Sequence, residues 1–204
     1  MALHIVILAA GLGKRMHSSK PKVLHTIAGK PMLTWVVDTA LQLQPEAIHI
    51  VVGKNSEEIK KYLPSLPVNW VVQEQQLGTG HAVKQALPHI PKDAQVLILY
   101  ADIPLIQKKS LLGLINHGKG QNTSLTLLVA ILSNPHGLGR IQRDTNEKVV
   151  AIIEEKDANE QQQKIKEIYS GICYIEAHLL HKWLPNITCK NAQKDFFWIS
   201  GISA

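Results

Sequence analysis

LHIVILAAGLGKRMHSSKPK, from Leu3 to Lys22, is the stretch on which the reading of this chain turns. Its apolar run Ile5-Val6-Ile7-Leu8-Ala9-Ala10 is long enough for one strand and β-branched enough to prefer it. Polar alternation is missing, which predicts a strand covered on both faces, as inside a parallel sheet. The run ends in Gly11-Leu12-Gly13, where the chain can turn sharply and bring bare backbone N–H groups against a ligand. Lys14, Arg15, Lys20 and Lys22 follow within a few residues. Small residues, glycines and cations directly after a buried strand form a cradle suited to a polyphosphate. A glycine turn with solvated lysines is the simpler alternative, and Gly-x-Gly alone would favour it.

Two common phosphate loops do not match. A P-loop needs G-x-x-x-x-G-K-[ST], and that spacing does not occur here. A dinucleotide fingerprint needs a third glycine and an acidic residue closing the next strand, whereas position 16 is Met and the next strand ends in Val52-Gly53-Lys54. The pattern present is an apolar strand, then A-A-G-x-G-x-R-M, then P-K. It resembles the sugar nucleotidyltransferases, which join a nucleoside triphosphate to a sugar 1-phosphate.

At 204 residues the chain has the length of one domain with a substantial core. Hydrophobic residues at 45% and charged ones at 19% describe an ordinary globular protein. No apolar run has the length of a membrane span, and the N-terminus lacks a signal-peptide pattern. Cys173 and Cys189 have no metal spacing, which fits a reducing cytoplasm. The net charge of +6 suggests nucleic acid at first, but residues 1–37 hold Lys14, Arg15, Lys20, Lys22 and Lys30 with no carboxylate. A nucleic-acid binder spreads its cations and adds stacking aromatics, which here make up only 5%. A concentrated patch better suits one small polyanion, so nucleic acid is not the expected partner.

Downstream the pattern alternates. Pro31 is expected in the first turn of a helix carrying Met32, Trp35, Val36, Thr39, Ala40 and Leu43 at helical spacing. Ala47 to Val52 reads as a strand, Asn55-Ser56 as the cap of a short helix, and Val68 to Val72 as a further strand. A polar loop from Gln73 to Gly80 leads into a helix from Thr79 to Leu87, then a strand from Val96 to Tyr100. A helix over Ser110 to His117 and a buried strand over Ser124 to Leu132 continue the series. Beyond Pro135 the expectation is a hairpin around Asp144 to Glu147, a polar helix from Asp157 to about Ile168, and a strand from Gly171 to Ile175. The fold class is therefore α/β, with a mixed, mostly parallel sheet flanked by helices.

Two more stretches could carry chemistry. Asp102 follows the strand ending at Tyr100, on the sheet edge where ligands of open α/β sheets bind. A carboxylate there can hold Mg²⁺, which takes one or two carboxylates and fills its octahedron with phosphate oxygens and water. A turn aspartate before Pro104 is the alternative. In Gln73-Glu74-Gln75-Gln76-Leu77-Gly78-Thr79-Gly80-His81-Ala82, a glutamine amide can pair with a pyrimidine edge and Gly78 admits close backbone approach. Thr79 sits where a helix cap or a ligand contact is equally open. His178-x-x-His181 lacks a third ligand for zinc.

K-P-K-V-L-H, Q-x-x-Q-L-G-T-G-H-A, L-Y-A-D-x-P-L, G-x-G-R-I and I-x-E-x-K-D-A together resemble the bacterial N-acetylglucosamine-1-phosphate uridylyltransferases over nearly the whole chain. The resemblance implies a Rossmann-like nucleotidyltransferase fold and a cytoplasmic enzyme that makes UDP-N-acetylglucosamine, a peptidoglycan and lipopolysaccharide precursor. Its substrates would be UTP and N-acetylglucosamine 1-phosphate, with Mg²⁺ on Asp102. By that resemblance Arg15 and Lys22 are catalytic. Leu8, Ala9, Ala10, Gly11, Gly13, Lys22, Gln73, Gly78 and Thr79 would surround the nucleotide. Thr79, Tyr100, Gly139, Glu154 and Tyr169 would line the sugar site.

The chain departs from that family in several places. Lys14 stands where a threonine is usual, Ala101 replaces a glycine and adds a methyl group near the phosphates, and Tyr169 replaces an asparagine that contacts the sugar. Asn191-Ala192-Gln193 matches, but Trp198-Ile199-Ser200-Gly201 does not, and a second metal ligand further downstream has no counterpart. Residues 1–204 are thus expected to form a single nucleotidyltransferase domain, without the family's C-terminal portion or its hexapeptide-repeat acetyltransferase domain. No oligomer is expected without that domain. The rival reading is a truncated paralogue that binds UTP or a partner with little turnover.

Overall fold

A computed structural model of the chain describes residues 1–186 apart from 12, 14, 15, 19, 55 and 122. In chain order come β1 (Leu3–Leu8), β2 (Thr26–Ile27), β3 (Lys30–Pro31), α1 (Met32–Leu41), β4 (Ala47–Gly53) and α2 (Ser56–Tyr62). Next are β5 (Asn69–Gln73), α3 (Thr79–Ala86), β6 (Gln95–Tyr100), α4 (Lys108–Gln121) and β7 (Leu125–Ile131). The last are β8 (Arg140–Arg143), β9 (Val149–Ile153), α5 (Glu160–Gln163), β10 (Glu167–Glu176) and α6 (Ala177–Trp183).

β1 is the central strand. It pairs in parallel with β4 on one side and β6 on the other, and β5 continues the parallel half beyond β4. β10 runs antiparallel to β6, β7 and β8, and β9 closes the hairpin with β8. β7 and β8 therefore point the same way as β1, and the sheet is mixed but mostly parallel, as expected.

The lack of polar alternation in β1 has a direct cause. Ile5 and Ile7 pack with Leu33, Val36 and Val37 of α1 and with Leu111 and Leu114 of α4. Val6 and Leu8 point the other way, into Ala82, Val83 and Ala86 of α3 and Leu180 of α6. Each face of the strand meets a helical layer, so both sets of side chains must be apolar. Burying each of the valine, leucine and isoleucine side chains contributes about 1.5–3 kcal/mol.

Several local expectations change. Pro31 is the N-cap of α1, not its first turn, because Lys30–Pro31 pairs with Thr26–Ile27 as a small hairpin. The polar helix over Asp157 to Ile168 shrinks to Glu160–Gln163, capped by Asn159 in a reciprocal capping box with Gln162. Ile168 is instead buried in β10, opposite Ala130 of β7, and Arg143 holds Glu167 through paired side-chain bonds of 2.6 and 2.8 Å. Tertiary pairing thus extends the strand expected over Gly171 to Ile175 back to Glu167. β7 is half-buried rather than buried. The proposed Asn55 cap lies outside the described residues, as do Cys189 and the segment from Asn191 to Gly201.

Candidate active site

The carboxyl ends of β1, β4, β5 and β6 share one edge of the sheet. From that edge Ala9, Ala10, Gly11 and Gly13, then Gln73, Gln76 and Gly78, and Asp102 converge on a cavity of about 590 Å³. Leu8, Ala9, Ala10, Gly11, Gly13, Lys22, Gln73, Gly78 and Thr79, every residue expected around the nucleotide, line it together with Tyr100 and Asp102. Arg15 lies outside the described residues.

Lys22 owes its position to its neighbours. Val23 and Leu24, buried at 4% and 1% exposure, anchor the 3-10 turn that Lys22 opens. Gly13 has φ +58°, and a Cβ there would lie 2.8 Å from the Lys22 Cβ. Only glycine allows both that backbone and that approach. The Lys22 Nζ then reaches the Asp102 Oδ2 at 2.5 Å across the cavity.

Gln73 is 2% exposed, and its Nε2 donates to the Gly78 carbonyl at 3.1 Å and lies 3.0 Å from His81 Nδ1. Part of its amide is thus engaged within the protein. Gly78, at φ +102°, is the N-cap of α3, and the Ala82 N–H also donates to its carbonyl. Thr79 is therefore the first helical residue and not the cap. Its side chain hydrogen-bonds the Tyr100 hydroxyl, whose pKa is pushed up by burial, with the Thr79 bond opposing that shift.

Of the residues expected at the sugar, Thr79 and Tyr100 line the cavity. The others stand in a chain leading to it. The Tyr169 N–H donates to the Gly139 carbonyl at 3.0 Å, and a Cβ on Gly139 would sit 3.2 Å from Glu154 Oε1. The Tyr169 hydroxyl donates to the Gly171 carbonyl at 2.8 Å, and burial raises its pKa well above the ordinary value. Gly171, at φ +91°, lies against the Tyr100 ring, where a Cβ would meet Cε2 at 2.7 Å.

Two expectations need correction. Ala101 is fully buried in the core with Leu97 and Leu99, because alternation along β6 turns it toward α1 and α4. Its methyl group is not a cavity wall. The basic stretch is not one patch either: Lys30 pairs with Asp38 and covers the Trp35 ring at 4.2 Å, away from the cavity. One further residue, to which the motifs assign no role, belongs to the site. Gln76 also lines the cavity and donates to the Ala10 carbonyl at 2.5 Å. The signal in the sequence is a second glutamine three residues after Gln73 in the same loop.

A family model described as MobA-like NTP transferase domain matches residues 5–160, which contain every described residue of the cavity. The chain belongs to that family. Bifunctional protein GlmU of Legionella pneumophila (strain Lens) is 57% identical, with 100% of this chain covering 45% of the relative. Bifunctional protein GlmU of Xanthomonas oryzae pv. oryzae (strain MAFF 311018) is 51% identical, over 97% of this chain and 43% of the relative. The chain thus spans less than half the length of these curated relatives. Among solved structures, a UDP-glucose pyrophosphorylase complexed with UDP-glucose superposes with a TM-score of 0.75 at 17% identity, over 96% of this chain and 83% of that one. A putative glucose-1-phosphate thymidylyltransferase from Bacillus anthracis gives 0.76 at 18%, over 98% of this chain and 80% of that one. These two likenesses establish the nucleotidyltransferase fold. Among the described residues, no helix is long and apolar enough to cross a membrane.

Proposed function

We propose that this chain transfers UMP from UTP to N-acetylglucosamine 1-phosphate, giving UDP-N-acetylglucosamine and pyrophosphate, in the cytoplasm. The observation that carries the reading is the convergence of the glycine loop, Lys22, Gln73, Gly78, Thr79 and Asp102 on one cavity. A phosphate oxygen of the sugar phosphate attacks the α-phosphorus of UTP; the new P–O bond forms as the bond to the β-phosphate oxygen breaks. Such transfers depend mainly on positioning and charge neutralisation. In this cavity the Lys22 ammonium neutralises phosphate charge, while the backbone of the glycine loop offers N–H groups to anionic oxygens. Gln73 and Gly78 stand on the base side, and Tyr100, Gly139, Glu154 and Tyr169 on the sugar side.

Asp102 supplies a hard oxygen donor facing the cavity, and Mg²⁺ is satisfied by one or two carboxylates once substrate phosphates and water complete its shell. Among the described residues no group of three or more His, Cys, Asp or Glu could hold an ion alone, so the donors fit an ion that arrives with the triphosphate. When bound there, Mg²⁺ would supply further neutralisation of phosphate charge.

Tyr169 favours a second reading, in which the chain binds UTP with little turnover. It stands where the resemblance expects an asparagine that contacts the sugar, and its hydroxyl is engaged by the Gly171 carbonyl. Pyrophosphate release by the purified chain, with UTP, N-acetylglucosamine 1-phosphate and Mg²⁺, separates the two. Turnover at or above about 1 s⁻¹ supports transfer; UTP binding by calorimetry without pyrophosphate release supports the second reading.

A further inference from the structure

β5, β4 and β1 are consecutive in the sheet, so a loop leaving β5 must pass over the end of β4 to touch the loop leaving β1. The segment after β5 does so. A three-residue turn, closed by the Leu77 N–H to the Gln75 carbonyl at 2.9 Å, puts Gln76 at its centre. The Gln76 side chain crosses the end of β4 and donates from Nε2 to the Ala10 carbonyl at 2.5 Å.

The crossing is possible because β4 ends in Gly53. A Cβ at that position would lie 2.6 Å from Gln76 Nε2, closer than two such atoms can stand, yet 3.5 Å from the Ala10 carbonyl oxygen, an ordinary contact. The Ala9 N–H is held from the other side by the Val51 carbonyl at 2.8 Å. Ala9 and Ala10 are therefore fixed at both ends just before the exposed Gly11. In a trans peptide the N–H points opposite to the preceding carbonyl, so fixing the Ala10 carbonyl fixes the direction of the Gly11 N–H.

We propose that Gln76 is a positioning residue that latches the phosphate-side loop to the base-side loop, with Gly53 as the gap through which it passes. The Gly11 N–H is thereby aimed at triphosphate oxygens before the nucleotide arrives. This inference rests on the nucleotide-binding reading above. It makes the two halves of the nucleotide site mechanically one unit, although they leave strands that β4 separates.

The test is a double-substitution cycle on the full chain, read by UTP calorimetry and thermal melting. Gln76→Ala and Gln76→Glu, whose carboxylate cannot donate to a carbonyl, should each weaken UTP about tenfold, with melting temperature little changed. Gly53→Ala should give the same loss by displacing the Gln76 side chain, and should cost nothing further in the Gln76→Ala background. Additive losses in the double variant, or wild-type affinity in Gly53→Ala, overturn the latch. If the wild-type chain itself binds no UTP, the proposed function fails. The latch is then decided by hydrogen exchange over residues 8–11: faster exchange in Gln76→Ala supports it, and equal exchange overturns it.

Discussion

The Lys22 ammonium lies 2.5 Å from the Asp102 carboxylate, joining the turn after the glycine loop to the end of β6. Each side chain is 34% exposed, so the pair is neither buried nor fully solvated. Ion pairs this open contribute about 0–1 kcal/mol to folding. Their position at the ligand cavity matters more than their contribution to stability.

Lys22→Ala should therefore leave the melting temperature almost unchanged while reducing turnover sharply. Losing one preorganised contact to the transferring group typically costs about 2.7–4 kcal/mol of transition-state stabilisation. A variant that melts many degrees lower with unaltered UTP affinity would make Lys22 structural and end its assignment.

Uridine nucleotides should bind better than adenine nucleotides, and Gln73→Ala should erase the preference. The Gln73 amide is buried and supports the Gly78 carbonyl, so the wrong base or a missing amide leaves polar atoms unpaired. Such a loss costs roughly 1–3 kcal/mol, enough for about tenfold selectivity. Calorimetric titration with UTP and ATP checks it, and equal affinities in the wild-type chain remove Gln73 from base recognition.

Acid should destabilise the fold at the opposite edge of the sheet. His4 Nδ1 and His49 Nε2 lie 3.1 Å apart in rings inclined by 4°, and the two side chains are 5% and 1% exposed. Burial, then the neighbouring His4 and His89, lower the His49 pKa from 6.5 to about 4; burial also lowers His4, with Glu46 opposing. Because the folded pKa lies below the unfolded one, the stabilisation is complete above about pH 6.5 and is lost as pH falls toward 4. The loss from His49 is on the order of 3 kcal/mol. Urea melts at pH 7.5 and 4.5 measure it, and a His49 imidazole that titrates near pH 6.5 by NMR rules it out.

Gly171→Ala should destabilise the protein more than Gly137→Ala. Both positions have positive φ, +91° and +78°, so both carry backbone strain with a Cβ, but only the Gly171 Cβ meets an atom, Tyr100 Cε2 at 2.7 Å. The added overpacking typically costs about 1–3 kcal/mol. Chemical melts of the two variants give the difference directly. Equal losses would mean that the Tyr100 ring moves aside at no cost.

Much of this site was legible because its parts are local. The A-A-G-x-G turn, the second glycine-bearing loop and the aspartate after β6 each follow an apolar strand, and parallel strands must deliver such turns to one edge. The polar stretch from Asp157 to Ile168 misled because composition favoured a helix, whereas pairing with β7 and the Arg143 contact to Glu167 hold its last two residues in β10. Ala101 misled for a similar reason. Its neighbour in sequence faces the cavity, but alternation buries it.

By itself the sequence determined that β1 would be covered on both faces, that a glycine loop and cations would follow it, and that strands and helices would alternate through the first half. Short-range patterning settles such features, since side-chain periodicity and glycine placement act within a few residues. Only the tertiary structure decided that Lys22 meets Asp102, that Lys30 turns away to Asp38, and that Gln76 crosses Gly53 to hold Ala10. Those outcomes depend on strand order in the sheet, which sets which loop ends come within a few ångströms of each other, and no local pattern encodes that order.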